Sequence, residues 1–347
     1  MSHETPPADV VVQDNVTDPV TAKRRRVAFR LERFATLAFF LVFFIVIGVL
    51  KGSQFVSWSN ITLVLSQNSY AAVLAAAVTL PLISGQFDLS AGAVAGMSAV
   101  LCAYLVSMRS FNTIVAIAIA LVIGAAIGVV NGMLVTRGKI SSFIVTLGVG
   151  GAVGGVAEWI SGGKTLFGGI PVGLTKAGTV KVGSIPLPIF YVIVILLILW
   201  ALTRRTVAGR YWYATGANPE SARLAGIKTS KMVIWAFVGS GFIAACGGVL
   251  YLAIFASADP TTGPDLLLPA FAAAFLGSSI LSDGKFTMIG SVLGTFLLAY
   301  ATNGLQIAGV NFAAQPIFTA IVLIGAVGIT ELLRRRRQAS RPRNANA

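Results

Sequence analysis

Long apolar stretches separated by short polar breaks run through this chain, near 34–50, 61–83, 90–107, 113–135, 142–161, 187–202, 231–254, 266–281, 286–303 and 315–333. A helix needs about 20 mostly apolar residues to cross the hydrocarbon core of a bilayer, and these stretches lie at or near that length. The pattern predicts an all-α polytopic membrane protein of about ten transmembrane helices, with the bilayer as solvent. Strands of a membrane barrel would alternate apolar and polar residues in short segments, which these do not. One membrane domain is expected over 34–333, between a disordered polar tail, 1–33, and a basic tail, 334–347.

The breaks carry the charge, and carry it unevenly. Lys23, Arg24, Arg25, Arg26, Arg30 and Arg33 precede the first apolar stretch, and Arg334, Arg335, Arg336 and Arg337 follow the last. Basic flanks stay on the cytoplasmic side of a membrane, so both termini are expected in the cytoplasm, which requires an even number of spans. The inside breaks then hold Arg137 with Lys139, the interval 203–230, and Asp283 with Lys285, while Lys51, Arg109, Lys164, Lys176 and Lys181 fall outside. The stretch 34–50 is long for a signal-peptide core and no small-residue cleavage pattern follows it, so it reads as a retained first span.

Composition agrees: 56% of residues are hydrophobic, 11% are charged and mean hydropathy is +0.85, where soluble domains are roughly a quarter charged. The net charge of +14 sits between spans, which suits anionic lipid headgroups and span orientation rather than nucleic acid. The single histidine, His3, lies in the polar tail, so triads and HExxH zinc sites that need a histidine are excluded. Cys102 and Cys246 fall within apolar runs and suggest neither a disulfide framework nor a metal site. Gly163-Lys164-Thr165 ends like a phosphate-binding loop, but Glu158 stands where the motif needs glycine and no strand precedes it. No nucleotide, metal or cofactor site is expected on this chain.

Within 203–230 the run Asn218, Pro219, Glu220, Ser221, Ala222, Arg223, Leu224, Ala225, Gly226 has the signals of a short surface helix. Asn218 suits the N-cap, Pro219 the first helical position, Glu220 the positive end of the dipole and Gly226 the C-terminal stop. Its apolar members, Ala222, Leu224, Ala225 and Ile227, suit docking into a groove on a partner. A solvated loop with one helical turn is the simpler alternative.

Other polar positions lie within or beside the spans. Asp88 is costly there unless it is paired, solvated or capping; a cap for the helix starting near Leu89 or Ser90 and direct contact with a solute are compatible readings if that helix begins inside the bundle. Gln67, Asn68, Asn131 and Asn303 suit a neutral polyhydroxylated solute and equally suit helix association; with Phe87, Asp88 and Ser90 they are the pathway candidates. Glu158 beside Trp159 reads as an interfacial pair. Glycines four apart, Gly92/Gly96, Gly124/Gly128, Gly150/Gly154, Gly151/Gly155 and Gly290/Gly294, predict close helix packing. Gly85-Gln86-Phe87-Asp88-Leu89-Ser90-Ala91-Gly92 and Gly277-Ser278-Ser279-Ile280-Leu281-Ser282-Asp283-Gly284 share G-x-x-x-L-S-x-G, an internal echo of the kind that accompanies broken or re-entrant helices in transporters.

Three blocks resemble a known family when taken together. They are the Gly85 to Gly92 block; Asn131-Gly132-Met133-Leu134-Val135-Thr136 continuing to Phe143-Ile144-Val145-Thr146-Leu147-Gly148; and Ala214-Thr215-Gly216-Ala217-Asn218-Pro219-Glu220-Ser221-Ala222-Arg223-Leu224-Ala225-Gly226-Ile227. Over about 60–333 the chain resembles the permease subunits of bacterial ABC importers for ribose, xylose, arabinose, galactose and related solutes, and Glu220-Ser221-Ala222-x-x-x-Gly226 resembles the EAA-x-x-x-G segment that engages the ATPase. The resemblance implies a non-catalytic translocation subunit of the bacterial inner membrane. Its implied partners are a cytoplasmic ABC ATPase that carries ATP and Mg, an extracytoplasmic solute-binding protein and a second permease, identical or paralogous. Gln86 and Phe87 stand where glycine and isoleucine are common in that family, and the tail before Lys23 is longer. An ion-coupled secondary transporter is the alternative, with Asp88 and Glu158 as its evident acids within the spans; an integral-membrane transferase or hydrolase would lack both histidine and clustered carboxylates.

Overall fold

The computed structural model describes residues 38–281 and 284–339, with side chains described over 38–280 and 284–328. The basic cluster at 23–33, the side chains of 334–337 and Asp283 lie outside these residues.

The described chain is almost wholly helical. In order it forms α1 (Ala38–Lys51), α2 (Ser53–Val56), α3 (Trp58–Gln67), α4 (Ser69–Ile83), α5 (Ala91–Ser107), α6 (Thr113–Thr136) and α7 (Ser142–Ser161). A loop region holds β1 (Leu166–Phe167), α8 (Val172–Thr179), β2 (Lys181–Val182) and β3 (Ile185–Pro186). Then come α9 (Leu187–Arg205), α10 (Val207–Ala217), α11 (Pro219–Leu224), α12 (Thr229–Phe255), β4 (Ser257–Ala258), α13 (Thr262–Leu281), α14 (Met288–Ile307) and α15 (Ala314–Ala339).

Among the described residues six helices, α6, α7, α9, α12, α13 and α14, are long and apolar enough to cross a bilayer, and there is a seventh if α3 and α4 form one span bent by 48°. The bend falls at Asn68, whose side-chain amide donates to the Val64 carbonyl at 2.8 Å and so competes with the regular helix ladder. The expected all-α polytopic class is therefore observed, with a broken helix, but a count of ten spans is not established. Three of the expected spans correspond to shorter apolar helices, Ala38–Lys51, Ala91–Ser107 and Ala314–Gly328.

The bundle is organised around α12, which packs on α6, α4 and α5. Helices in lipid gain no hydrophobic driving force from meeting each other, so they associate where small residues let backbones approach. That is how the glycines of α6 are used: a Cβ on Gly124 would lie 2.6 Å from the Gly241 carbonyl oxygen of α12, and one on Gly128 would run into the backbone at Phe237. Gly92 and Gly96 of α5 meet Gly263 of α13, and Gly290 and Gly294 of α14 meet Gly277 and Ala273 of α13. The α7 glycines depart from the expectation: Gly150 approaches Ser90, but Gly151, Gly154 and Gly155 face nothing within 4 Å. The outer helices α6 and α9 leave Ile114, Val122, Val194, Leu197 and Ile198 exposed, as lipid-facing surfaces do. Cys102 and Cys246 are free thiols.

The loops collect at two ends. At one, Phe87 meets Ser142, Gly216 meets Gly85, and Tyr213 reaches Phe286. At the other, β1 pairs with β4 in antiparallel register, Leu166 opposite Ala258, and Thr165 Oγ1 donates to Asp259 Oδ2 at 2.6 Å. The two G-x-x-x-L-S-x-G segments are not alike in conformation: 85–90 is a turn, whereas Gly277–Leu281 continues helix α13.

Candidate functional site

Two structures stand out at the Gly216 end: a turn at 84–90, in which Ser84, Asp88 and Ser90 are buried, and the surface helix α11. The turn begins where Pro81 and Gly85 stop α4. Gly85 adopts a left-handed φ of 79°, open to glycine at no steric cost. Gln86 N then donates to the Pro81 carbonyl at 2.9 Å and Gly85 N to Leu82 at 3.1 Å, closing a Schellman stop.

The chain turns into the bundle after this stop. Asp88 is 1% exposed. Its Oδ1 accepts from Ser90 N at 3.0 Å and Ser90 Oγ at 2.6 Å, and its Oδ2 accepts from Ser240 Oγ of α12 at 2.7 Å. Asn131 Nδ2 of α6 donates to Ser90 Oγ at 2.7 Å. Two hydroxyls of α7 receive the turn's backbone: Phe87 N donates to Ser142 Oγ at 3.2 Å and Leu89 N to Thr146 Oγ1 at 2.9 Å. A carboxylate in this setting is tolerated only when its oxygens are occupied by donors, and here protein groups occupy both. Through these bonds one turn ties together α5, α6, α7 and α12.

The structure thus brings Asp88, Ser90 and Asn131 into one buried cluster, with Phe87 at its edge, 42% exposed and its ring 6.2 Å from that of Phe271. The other pathway candidates lie elsewhere. Gln67 is exposed and Asn68 half-buried at the break between α3 and α4, and Asn303 of α14 accepts from Asn60 Nδ2 at 2.9 Å. Glu158 and Trp159 are exposed at the end of α7. Sequence reading missed Ser240, Ser142 and Thr146; the available signal was a lone hydroxyl within an apolar stretch, which does not reveal its partner.

The surface helix forms as its caps dictate. Asn218 Oδ1 accepts from Glu220 N at 3.1 Å and Ser221 N at 3.0 Å. At the other end Gly226, at φ 83°, donates to the Arg223 carbonyl at 2.9 Å while Ile227 N reaches Ala222 at 3.0 Å, a second Schellman stop. Ala222 faces inward and is buried, whereas Leu224 points out and is 82% exposed. Glu220 and Arg223 pair at 3.7 Å on the exposed side. Helix α10 anchors α11 to the bundle: Trp212 Nε1 donates to the Met232 carbonyl at 2.8 Å and Tyr213 Oη to the Phe286 carbonyl at 2.9 Å. The helix is therefore capped at both ends and presents Leu224 on its exposed side, next to Arg223.

At the opposite end, hydrogen bonds from Thr165 and then Thr261 hold the Asp259 carboxyl below the usual carboxylate range.

Fold and site together define a multi-pass α-helical membrane protein with a buried polar cluster around Asp88 and a capped surface helix at one end. The chain belongs to the family described as branched-chain amino acid transport system / permease component, whose pattern matches residues 60–327. It is 31% identical over 314 residues to the ribose import permease protein RbsC of Escherichia coli (strain K12), covering 90% of this chain and 97% of that one. The D-allose transport system permease protein AlsC of Escherichia coli (strain K12) is 28% identical over 302 residues, 87% of this chain and 92% of its own. The fructose import permease protein FrcC of Rhizobium meliloti is 29% identical over 298 residues, 84% and 83% respectively. No solved structure matches this chain.

Proposed function

We propose that this protein is the membrane-spanning permease subunit of an ATP-driven importer in the bacterial inner membrane, and that it translocates a monosaccharide or a similar small polar solute. Full-length similarity to import permeases for ribose, allose and fructose carries this reading and favours it over an ion-coupled secondary transporter. The chain breaks no bond; ATP and Mg bind to a separate cytoplasmic ATPase, an extracytoplasmic binding protein delivers the solute, and a second permease, identical or paralogous, completes the membrane core. In this reading the chain has ten spans and both termini in the cytoplasm, and α11 lies on the ATPase side.

In this reading Asn218, Pro219, Glu220, Ser221, Ala222, Arg223, Leu224 and Gly226 form the coupling helix, with Leu224 entering a groove on the ATPase and Glu220 facing a basic rim. Gln67, Asn68, Phe87, Asp88, Ser90, Asn131 and Asn303 belong to the walls of the pathway or the framework holding them. Support comes from the exposure of Leu224 and from the pairing of Glu220 with Arg223, which leaves both charges in water.

The test is recovery of the ATPase with tagged permease from mild detergent, comparing the native chain with Glu220→Lys and Leu224→Glu. Loss of the ATPase from both variants, at native permease abundance, supports the docking assignment. Native-like recovery with both moves the contact away from α11. Uptake by vesicles driven by an ion gradient, without any ATPase, would overturn the importer reading itself.

A further inference from the structure

At Gly216 the end of α10 comes backbone to backbone with the start of the turn at 84–90. A Cβ added to Gly216 would run into the Ile83 carbonyl oxygen and lie 3.0 Å from Gly85 N; one added to Gly85 would lie 3.4 Å from Gly216 Cα. Gly216 is two residues before Asn218, the cap of α11, and Asn218 N still donates to the Ala214 carbonyl at 3.2 Å, so the last turn of α10 runs directly into the cap. On the other side of the contact, Ile83 and Gly85 belong to the Schellman stop from which the chain enters the Asp88 cluster.

We propose that the Gly216–Gly85 contact is the mechanical link through which movement of α11 reaches the turn at 84–90, making Gly216 and Gly85 positioning residues of ATP-driven transport. The proposal rests on α11 being the seat of the ATPase. Side chains at a contact can change rotamer and absorb a displacement; two backbones in direct contact have no such slack, and packed interiors respond by shifting as units. A push on α10 therefore moves Gly85, and with it the Phe87 and Leu89 amides bonded to Ser142 and Thr146 of α7, and the Asp88 carboxylate bonded to Ser240 of α12. Phe87 is the exposed side chain on this turn, so the same movement changes its position relative to Phe271.

The test uses the assembled complex of permease, ATPase and binding protein in liposomes, with Gly216→Ala as the perturbation. We expect the ATPase to co-purify as with the native chain and ATP hydrolysis to stay within about twofold, while uptake falls about tenfold, within the range for substitutions along a coupling path. The readout is ATP hydrolysed per solute moved, which a purely structural defect would leave unchanged by lowering both together. An unchanged ratio overturns the proposal. Native-like ATPase recovery with Leu224→Glu and Glu220→Lys instead refutes the docking assignment, and the relay falls with it.

Should Gly216→Ala fail to accumulate, hydrogen exchange on the native complex decides. Between nucleotide-free and ATP-bound states, the Phe87 and Leu89 amides should change protection together with those of 220–224. A change confined to 220–224 refutes the relay.

Discussion

Replacing Asp88 separates a structural carboxylate from one that handles solute. Asp88→Ala removes the acceptor shared by three donors, the Ser90 N–H, the Ser90 hydroxyl and the Ser240 hydroxyl, and Ser90 and Ser240 are both buried. Each buried donor left without a partner costs about 1–3 kcal/mol, and because these donors neighbour one another the total is about 3–6 kcal/mol rather than the full sum. Asp88→Asn retains Oδ1 for Ser90 and offers an amide N–H to the Ser240 hydroxyl, which can accept, so its cost is about 1–2 kcal/mol. Against a total stability of about 5–15 kcal/mol, the alanine variant should be scarce in the membrane and the asparagine variant abundant. Tryptophan fluorescence during SDS titration of purified permease, with membrane abundance and solute uptake measured alongside, gives the comparison. Equal stability of the two variants would refute the hydrogen-bond accounting. Complete loss of uptake by Asp88→Asn at native abundance would show that the carboxylate acts on the solute or its path.

Three further outcomes are expected. Asn218→Ala removes the acceptor for Glu220 N and Ser221 N and should cost α11 about 1 kcal/mol, seen as faster hydrogen exchange confined to 220–224 with a native midpoint for the bundle. Gly128→Ala drives a methyl group into the backbone at Phe237 and should destabilise the α6–α12 contact by about 1–3 kcal/mol, whereas Gly151→Ala on the open face of α7 should leave the midpoint of purified permease unchanged. Because folding depresses the Asp259 carboxyl, the charged form stabilises the Thr165–Asp259 link. That contribution is complete above the ordinary carboxylate range and lost only as pH falls through the lower folded value. Proteolysis of the loop around 162–170 should therefore be flat from neutral to mildly acidic pH and rise in strong acid, and Asp259→Ala should raise it at every pH.

The surface helix was legible because its determinants are local. Asn218, Pro219 and Gly226 act within a few residues of themselves, so type and spacing suffice to predict cap, start and stop. Membrane class was equally legible, since hydrophobic length answers directly to bilayer thickness. The span count was less so: hydropathy marks an apolar stretch at 61–83, but it does not report that this stretch is two helices bent by 48° at Asn68.

Everything at long range waited for the tertiary structure. Asp88 could be read as costly, but Ser240, 152 positions away, and the Asn131 side chain bonded to Ser90 are partners chosen by helix packing. Glycine spacing alike at Gly124/Gly128 and Gly151/Gly155 gave one expectation, yet the first pair is pressed against α12 and the second faces open space within this chain. Spacing puts small residues on one face, and only the arrangement of neighbouring helices decides whether that face meets another backbone. Hydropathy and local caps thus determined that the chain is a helical membrane protein with a structured charged break between spans. The packing of α4, α10 and α12 alone decided that this break abuts the turn holding the buried carboxylate, because that contact is made by backbone atoms far apart in sequence.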